Sequence, residues 1–178
     1  QPFWGKPPVH FWATALSFRL FGRSEAAARL PGYLGGLVIL LATFLFARRF
    51  WGRLAGALAA AVLASTLLFL GLSGSCTTDI TLASFLAVAM AAFAFQAVAP
   101  PGWVRRLWGL LFFAALAGGV LSKGPVALVL AGLSLAGWML VAGRWRTILL
   151  LPWWLGLPVF LALSLPWFLS AEKATPGF

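Results

Sequence analysis

Apolar residues run through this chain in long blocks, and each block is broken by a few basic or turn-forming positions. A helix crosses the hydrocarbon core of a bilayer with about 20 predominantly apolar residues. On that measure residues 30–47, 54–72, 80–98, 107–121, 126–142 and 148–169 read as spanning helices. The fourth and fifth blocks are short and are joined by Ser122-Lys123-Gly124-Pro125. Glycine suits the position after a helix and proline the first turn of the next, so a tight helical hairpin is expected there. Ahead of all the blocks, residues 7–21 predict a helix with Phe11, Trp12, Ala15, Leu16 and Leu20 on its apolar face and Arg19 and Arg23 at its end. It is too short to cross and too charged at its end, so it is expected to lie along the interface. Pro152, Pro158 and Pro166 are expected to kink the last span. Small residues crowd 52–64 and 83–94, which lets helices approach closely.

The fold class predicted is all-α, a multi-span transmembrane helix bundle of about six spans plus an N-terminal interfacial helix. The chain reads as a single transmembrane domain over 1–178. Its outer loop and interfacial helix occupy 1–29, the membrane spans 30–170, and the start of a further outer loop 171–178.

Composition rules out the main alternative. Of the 178 residues, 62% are hydrophobic and 9% charged, against about 45–50% apolar and about 25% charged in soluble domains. There is too little polar material to cover a surface facing water. Trp4, Trp12, Trp103, Trp108, Trp153, Trp154 and Trp167 read as interface belts, where an indole keeps its ring in lipid and its N–H wet.

The net charge of +10 sets 13 basic residues against Glu25, Asp79 and Glu172. These basic residues sit in the short breaks between apolar runs, so membrane topology and anionic membrane lipids account for them, and no nucleic acid partner is expected. Counting spans places Arg48, Arg49, Arg53, Arg105, Arg106, Arg144 and Arg146 on one side without an acid. The other side then holds Lys6, Arg19, Arg23, Arg29, Lys123 and Lys173 with all three acids, which makes the arginine-rich side cytoplasmic. A single cysteine, Cys76, excludes an internal disulfide and a cysteine-pair metal site.

The span interiors carry almost no ionisable residue, which argues against a proton relay or a substrate path at the bilayer midplane. A multi-span transporter or its half stays open as the alternative, because of the proline-rich last span. A noncatalytic membrane scaffold is a third reading, and it would need no clustering of charges. Chemistry, where present, belongs at the outer surface, and there the segmentation brings Lys6, Asp79 and Lys123 to one depth. Each has a plain structural account. Thr77-Thr78-Asp79 suits a helix start, Lys123 suits a helix C-terminus, and Lys6 can snorkel to headgroups. The functional account is that Lys6 and Lys123 bind a phosphate-bearing lipid as point charges while Asp79 orients or balances them. His10 follows Lys6 by one turn, and it reads either as a packed interfacial side chain or as a further substrate-binding residue.

Several stretches carry a resemblance. Lys6-Pro7-Pro8-Val9-His10-Phe11-Trp12, Leu20-Phe21-Gly22-Arg23-Ser24-Glu25 and Ala28-Arg29-Leu30-Pro31 open the chain. Ala47-Arg48-Arg49-Phe50-Trp51-Gly52, Thr77-Thr78-Asp79, Leu121-Ser122-Lys123-Gly124-Pro125 and Leu165-Pro166-Trp167 follow in order. This series resembles polyprenyl-phosphate-sugar glycosyltransferases of the GT-C class. That class includes the dolichyl-phosphate-mannose protein mannosyltransferase type and the bacterial aminoarabinose transferase type that modifies lipid A.

The resemblance implies an inverting glycosyltransferase of the bacterial plasma (inner) membrane with its site on the outer, periplasmic face. A sugar would pass from a polyprenyl-phosphate-linked donor to a lipid or protein acceptor. Lys6 of the Lys-Pro motif would stabilise the departing phosphate, Lys123 would be second in that role, and Asp79 would organise the site. The family's general base is expected upstream of this chain. Gly5 stands where the aminoarabinose type often has a glutamate implicated in metal binding. No metal ligand is therefore assigned here, and a divalent metal is left to the full-length enzyme. With Gln1 at its start and a polar 172–178 at its end, the chain is expected to be the N-terminal transmembrane fragment of a longer enzyme, inactive alone.

Overall fold

The computed structural model describes residues 7–174, and within them the regular structure is helical. The helices are α1 (Val9–Phe21), α2 (Glu25–Trp51), α3 (Arg53–Ala64), α4 (Leu67–Ser73), α5 (Thr78–Val98), α6 (Trp103–Lys123), α7 (Val126–Ala142) and α8 (Trp153–Ala174). A short 3-10 turn, Trp145–Leu150, leads into α8. The expected all-α membrane bundle is the fold observed.

Among the described residues α2, α5, α6 and α8 are long and apolar enough to cross a bilayer. The other two expected spans differ in form from these four. The block 54–72 is two helices, α3 and α4, bent by 72°. The break falls at Ser65 and Thr66, whose hydroxyls donate to the carbonyls of Val62 and Leu63, each at 2.8 Å. Hydroxyl bonds of this kind compete with the helix ladder, and Thr66 turns extended, with φ −76° and ψ 132°. The block 126–142 is a helix as expected, but at 17 residues it is shorter than a full span. Pro152 also lies before α8 instead of kinking it, and its carbonyl accepts from Gly156 N at 2.7 Å, whereas Pro158 and Pro166 lie inside the helix.

Local chemistry sets the helix ends. Ser24 caps α2 by accepting from Ala27 N at 3.2 Å, and Glu25 in the first turn forms an i,i+4 ion pair with Arg29. Such a cap and an acid there satisfy free N–H groups and oppose the positive end of the helix dipole. Gly124, at φ 73°, ends α6, and Pro125 opens α7, so the expected hairpin forms at the expected residues.

Helices α5 and α6 form the centre. Ala89, Ala92, Phe93, Phe112, Phe113 and Leu116 are buried there. Helix α8 closes onto α6 because Gly156 lets its backbone meet the Phe113 ring, where a Cβ would stand 2.0 Å from Cδ2. Large apolar side chains on α2, α3, α7 and α8 are exposed, as a lipid solvent allows. Helix α1 follows the same logic. Its His10 and Ser17 are buried while Phe11, Trp12, Leu16, Leu20 and Phe21 are exposed. A polar stripe faces the protein and an apolar face is left for lipid.

Alternation of helix direction sorts the charges into two ends. One holds the start of α2, the start of α5 and the α6–α7 turn, with Glu25, Arg29, Asp79 and Lys123. The other holds the α2–α3, α5–α6 and α7–α8 connections, with the seven arginines from Arg48 to Arg146.

Candidate functional site

The hairpin and the start of α5 meet through one ion pair. Lys123 Nζ donates to Asp79 Oδ1, joining the last turn of α6 to the first turn of α5 across 44 sequence positions. Each partner stands at the helix end that favours its charge, the acid at an N-terminus and the amine at a C-terminus. Both side chains keep contact with the exterior, at 38% exposure for Lys123 and 50% for Asp79. A pair this open contributes about 0–1 kcal/mol to stability, so its charges remain available to a ligand.

Beneath the pair, the backbone is held firmly. Ser122 is fully buried and donates to Gly118 O at 2.7 Å, and Gly124 N donates to Val120 O at 2.7 Å. Two residues further along α5, Thr81 Oγ1 lies 3.0 Å from His10 Nδ1, and both residues are buried. Ser17, on the same stripe of α1, donates to Ala27 O at 2.6 Å. His10, expected as a packed or a substrate-binding residue, is thus 4% exposed and joins α1 to α5. Lys6 lies outside the described residues, three positions before α1 begins.

Arg29 was not among the candidates read from sequence, and it belongs to this end. Its Nη2 pairs with Glu25 and its Nη1 donates to Gly74 O at 3.2 Å, so it ties α2 to the turn that leads into α5. The four-residue spacing of Glu25 and Arg29 was the available signal. Cys76 Sγ, 3.4 Å from Ala28 O, adds a second tie. The close approach needs Gly32, since a Cβ there would stand 2.8 Å from the carbonyl oxygens of both Ser73 and Ser75. Among the described residues no three of His, Cys, Asp and Glu gather as a metal-binding group.

Such a fold and such an end define a multi-pass, all-helical membrane protein. It gathers a few charges at one surface and leaves the intervening membrane depth nearly free of them. More specifically, the chain belongs to the dolichyl-phosphate-mannose-protein mannosyltransferase family, whose model matches residues 5–169.

Individual relatives agree with that placement. The chain is 33% identical over 148 residues to undecaprenyl phosphate-alpha-4-amino-4-deoxy-L-arabinose arabinosyl transferase 2 of Sodalis glossinidius, covering 82% of this chain and 27% of that protein. It is 30% identical over 178 residues to the corresponding transferase of Shewanella sediminis, covering 99% of this chain and 32% of that protein. Among solved structures, ArnT from Cupriavidus metallidurans bound to undecaprenyl phosphate superposes with a TM-score of 0.91 at 32% identity, over 97% of this chain and 32% of that one. Its apo state gives the same TM-score at 33% identity, over 99% of this chain and 33% of that one. The chain therefore spans about a third of the length of these proteins. The family expected from the motifs is the family found.

Proposed function

We propose that the protein carrying this chain is a membrane glycosyltransferase that moves a sugar from a polyprenyl-phosphate donor to a lipid or protein acceptor. The reaction takes place at the Asp79–Lys123 end of the bundle, on the outer, periplasmic face of the bacterial inner membrane, and residues 1–178 form one membrane domain of that enzyme. The observation that carries this reading is the match, at a TM-score of 0.91, to an ArnT bound to undecaprenyl phosphate. The names of the relatives favour 4-amino-4-deoxy-L-arabinose as the sugar. The transporter alternative has no comparable support.

The chemistry follows from charge. An acceptor oxygen attacks the anomeric carbon from the face opposite the phosphate, the bond from that carbon to the phosphate oxygen breaks, and polyprenyl phosphate leaves with the electron pair. The acceptor's proton passes to a general base. Negative charge grows on the departing phosphate, and cations already in place lower the barrier most. Lys6 is the first candidate for that contact. Lys123 is the second, with Asp79 holding its amine at the surface, and His10 acts by fixing α1 against α5.

The decisive experiment incubates the purified full-length protein with undecaprenyl-phosphate 4-amino-4-deoxy-L-arabinose and membrane acceptors, and follows release of undecaprenyl phosphate by mass spectrometry. Acceptor-dependent release supports the reading. No release from that donor, nor from mannosyl or other glycosyl polyprenyl phosphates, overturns it.

A further inference from the structure

The arginine end of the bundle carries a second feature that the transfer reaction does not use. Arg48 and Arg49, in the last turn of α2, line a groove of about 490 Å3 bounded by α2, α5 and α6. Both side chains are exposed, and among the described residues neither has an acidic partner. Arg48 is placed by the Phe44 ring, 5.9 Å from its Cζ. The nearby Arg105 is occupied differently, since its Nε and Nη2 donate to Ala99 O at 2.9 and 2.7 Å and close the α5–α6 turn.

The groove does not stop at the arginines. Leu45, Phe95 and Trp108 line it and also line a second hollow of about 130 Å3, which continues along the same seam to Val38. The deeper hollow is walled by aliphatic and aromatic side chains only. Val38 and Arg48 are ten positions apart on one helix, or about 15 Å at 1.5 Å per residue. That is about half of a 30 Å hydrocarbon core, the depth of one leaflet. A cationic mouth thus opens onto an apolar track one leaflet deep.

We propose that this groove binds an anionic phospholipid of the arginine-side leaflet. Its phosphate sits on Arg48 and Arg49, and one acyl chain runs past Leu45, Phe95 and Trp108 toward Val38. Guanidinium forks match phosphate oxygens with paired hydrogen bonds, and basic pockets between spanning helices attract acidic headgroups. A free phosphate would leave the track empty, and a zwitterionic lipid would carry its own cation to the arginines. The reaction's polyprenyl phosphate belongs to the opposite end, so this inference stands apart from the proposed function.

The test uses the purified full-length protein in neutral detergent, titrated with dioleoyl phosphatidylglycerol or dioleoyl phosphatidylcholine and read by native mass spectrometry. The wild type is expected to bind phosphatidylglycerol at least fivefold more tightly. Arg48→Gln/Arg49→Gln loses that preference, and Arg48→Lys/Arg49→Lys keeps it. Leu41 also lines the deeper hollow, and Leu41→Trp, which narrows the track, weakens retention of the dioleoyl lipid with both arginines intact and gives a second reading where the glutamine variant fails to fold. Unchanged preference in the glutamine variant overturns the proposal. So does an equal loss in Arg53→Gln, outside the groove, which would mean diffuse attraction to a basic rim. Crosslinking of Arg49→Cys to another segment of the same protein overturns it too, since the groove would then be filled internally.

Discussion

His10 and Thr81, 71 positions apart, share a buried hydrogen bond of 3.0 Å that ties the first helix to the start of α5. Thr81 stands two residues after Asp79, so the placement of α1 is linked to the turn that holds the site's acid. A buried side-chain bond of this kind contributes about 0.5–1.5 kcal/mol net, and leaving one partner unsatisfied costs about 1–3 kcal/mol. Thermal unfolding of His10→Ala, Thr81→Val and the double variant in detergent should therefore show coupling of about 0.5–1.5 kcal/mol. Additive losses would mean that the two side chains are neighbours without being partners.

The ion pair between Asp79 and Lys123 invites a charge exchange. Because the pair is exposed, Lys123→Ala should change stability by about 1 kcal/mol or less. The same change should lower transfer about tenfold, or roughly 1.4 kcal/mol of barrier, if the amine meets phosphate. The double variant Asp79→Lys/Lys123→Asp restores an attractive pair but puts each charge at the unfavourable helix end. It should stay inactive. Recovery of transfer in the exchanged protein would reduce the pair to a structural clasp.

Lys6→Ala should cost more than Lys123→Ala, lowering transfer more than tenfold with expression intact. The comparison is informative because the two lysines, far apart in sequence, would meet the same departing phosphate. Equal or greater loss at Lys123 would reverse their ranking.

Long elements were readable because hydropathy reports directly on what lipid tolerates. Residues 126–142 coincide with α7, and 80–98 lies within α5. The bend between α3 and α4 was hidden because Ser65 and Thr66 are two small residues in an apolar run, and only their hydroxyl bonds reveal that the ladder stops. Depth was likewise legible for Asp79 and Lys123, whereas their pairing depends on which face of α5 meets α6, and hydropathy carries no such information. The roles of His10 and Arg29 needed the partner helix to be seen. A polar stripe on α1 looks like an ordinary solvated face until Thr81 and Ala27 are placed against it.

Gly32 tests how closely α2 must meet the turn before α5. An added methyl would stand 2.8 Å from two backbone oxygens, which cannot swing away as a side chain would. Overpacking of this sort costs about 1–3 kcal/mol. Gly32→Ala should lower the melting temperature and, by shifting the 73–75 backbone, loosen the Arg29 contact with Gly74. Gly71→Ala, where a methyl meets nothing within 4 Å, should leave the melting temperature nearly unchanged. A similar response at the two glycines would show that helix propensity alone is being read.

Gln96 offers a test in the interior. It is fully buried in α5, its Nε2 donates to Leu150 O at 2.7 Å, and its Oε1 has no hydrogen-bond partner among the described residues. Gln96→Met gives up one hydrogen bond but also removes an unsatisfied oxygen, and these effects oppose each other at about 1 kcal/mol apiece. The variant should therefore melt close to the wild type. Gln96→Glu keeps the shape and places an ionisable group where no cation is paired with it, and a buried unpaired charge costs several kcal/mol or forces protonation. Its melting temperature should fall well below that of Gln96→Met. Equal melting of the two variants would mean that water reaches this side chain and that the interior of α5 is wetter than its packing indicates.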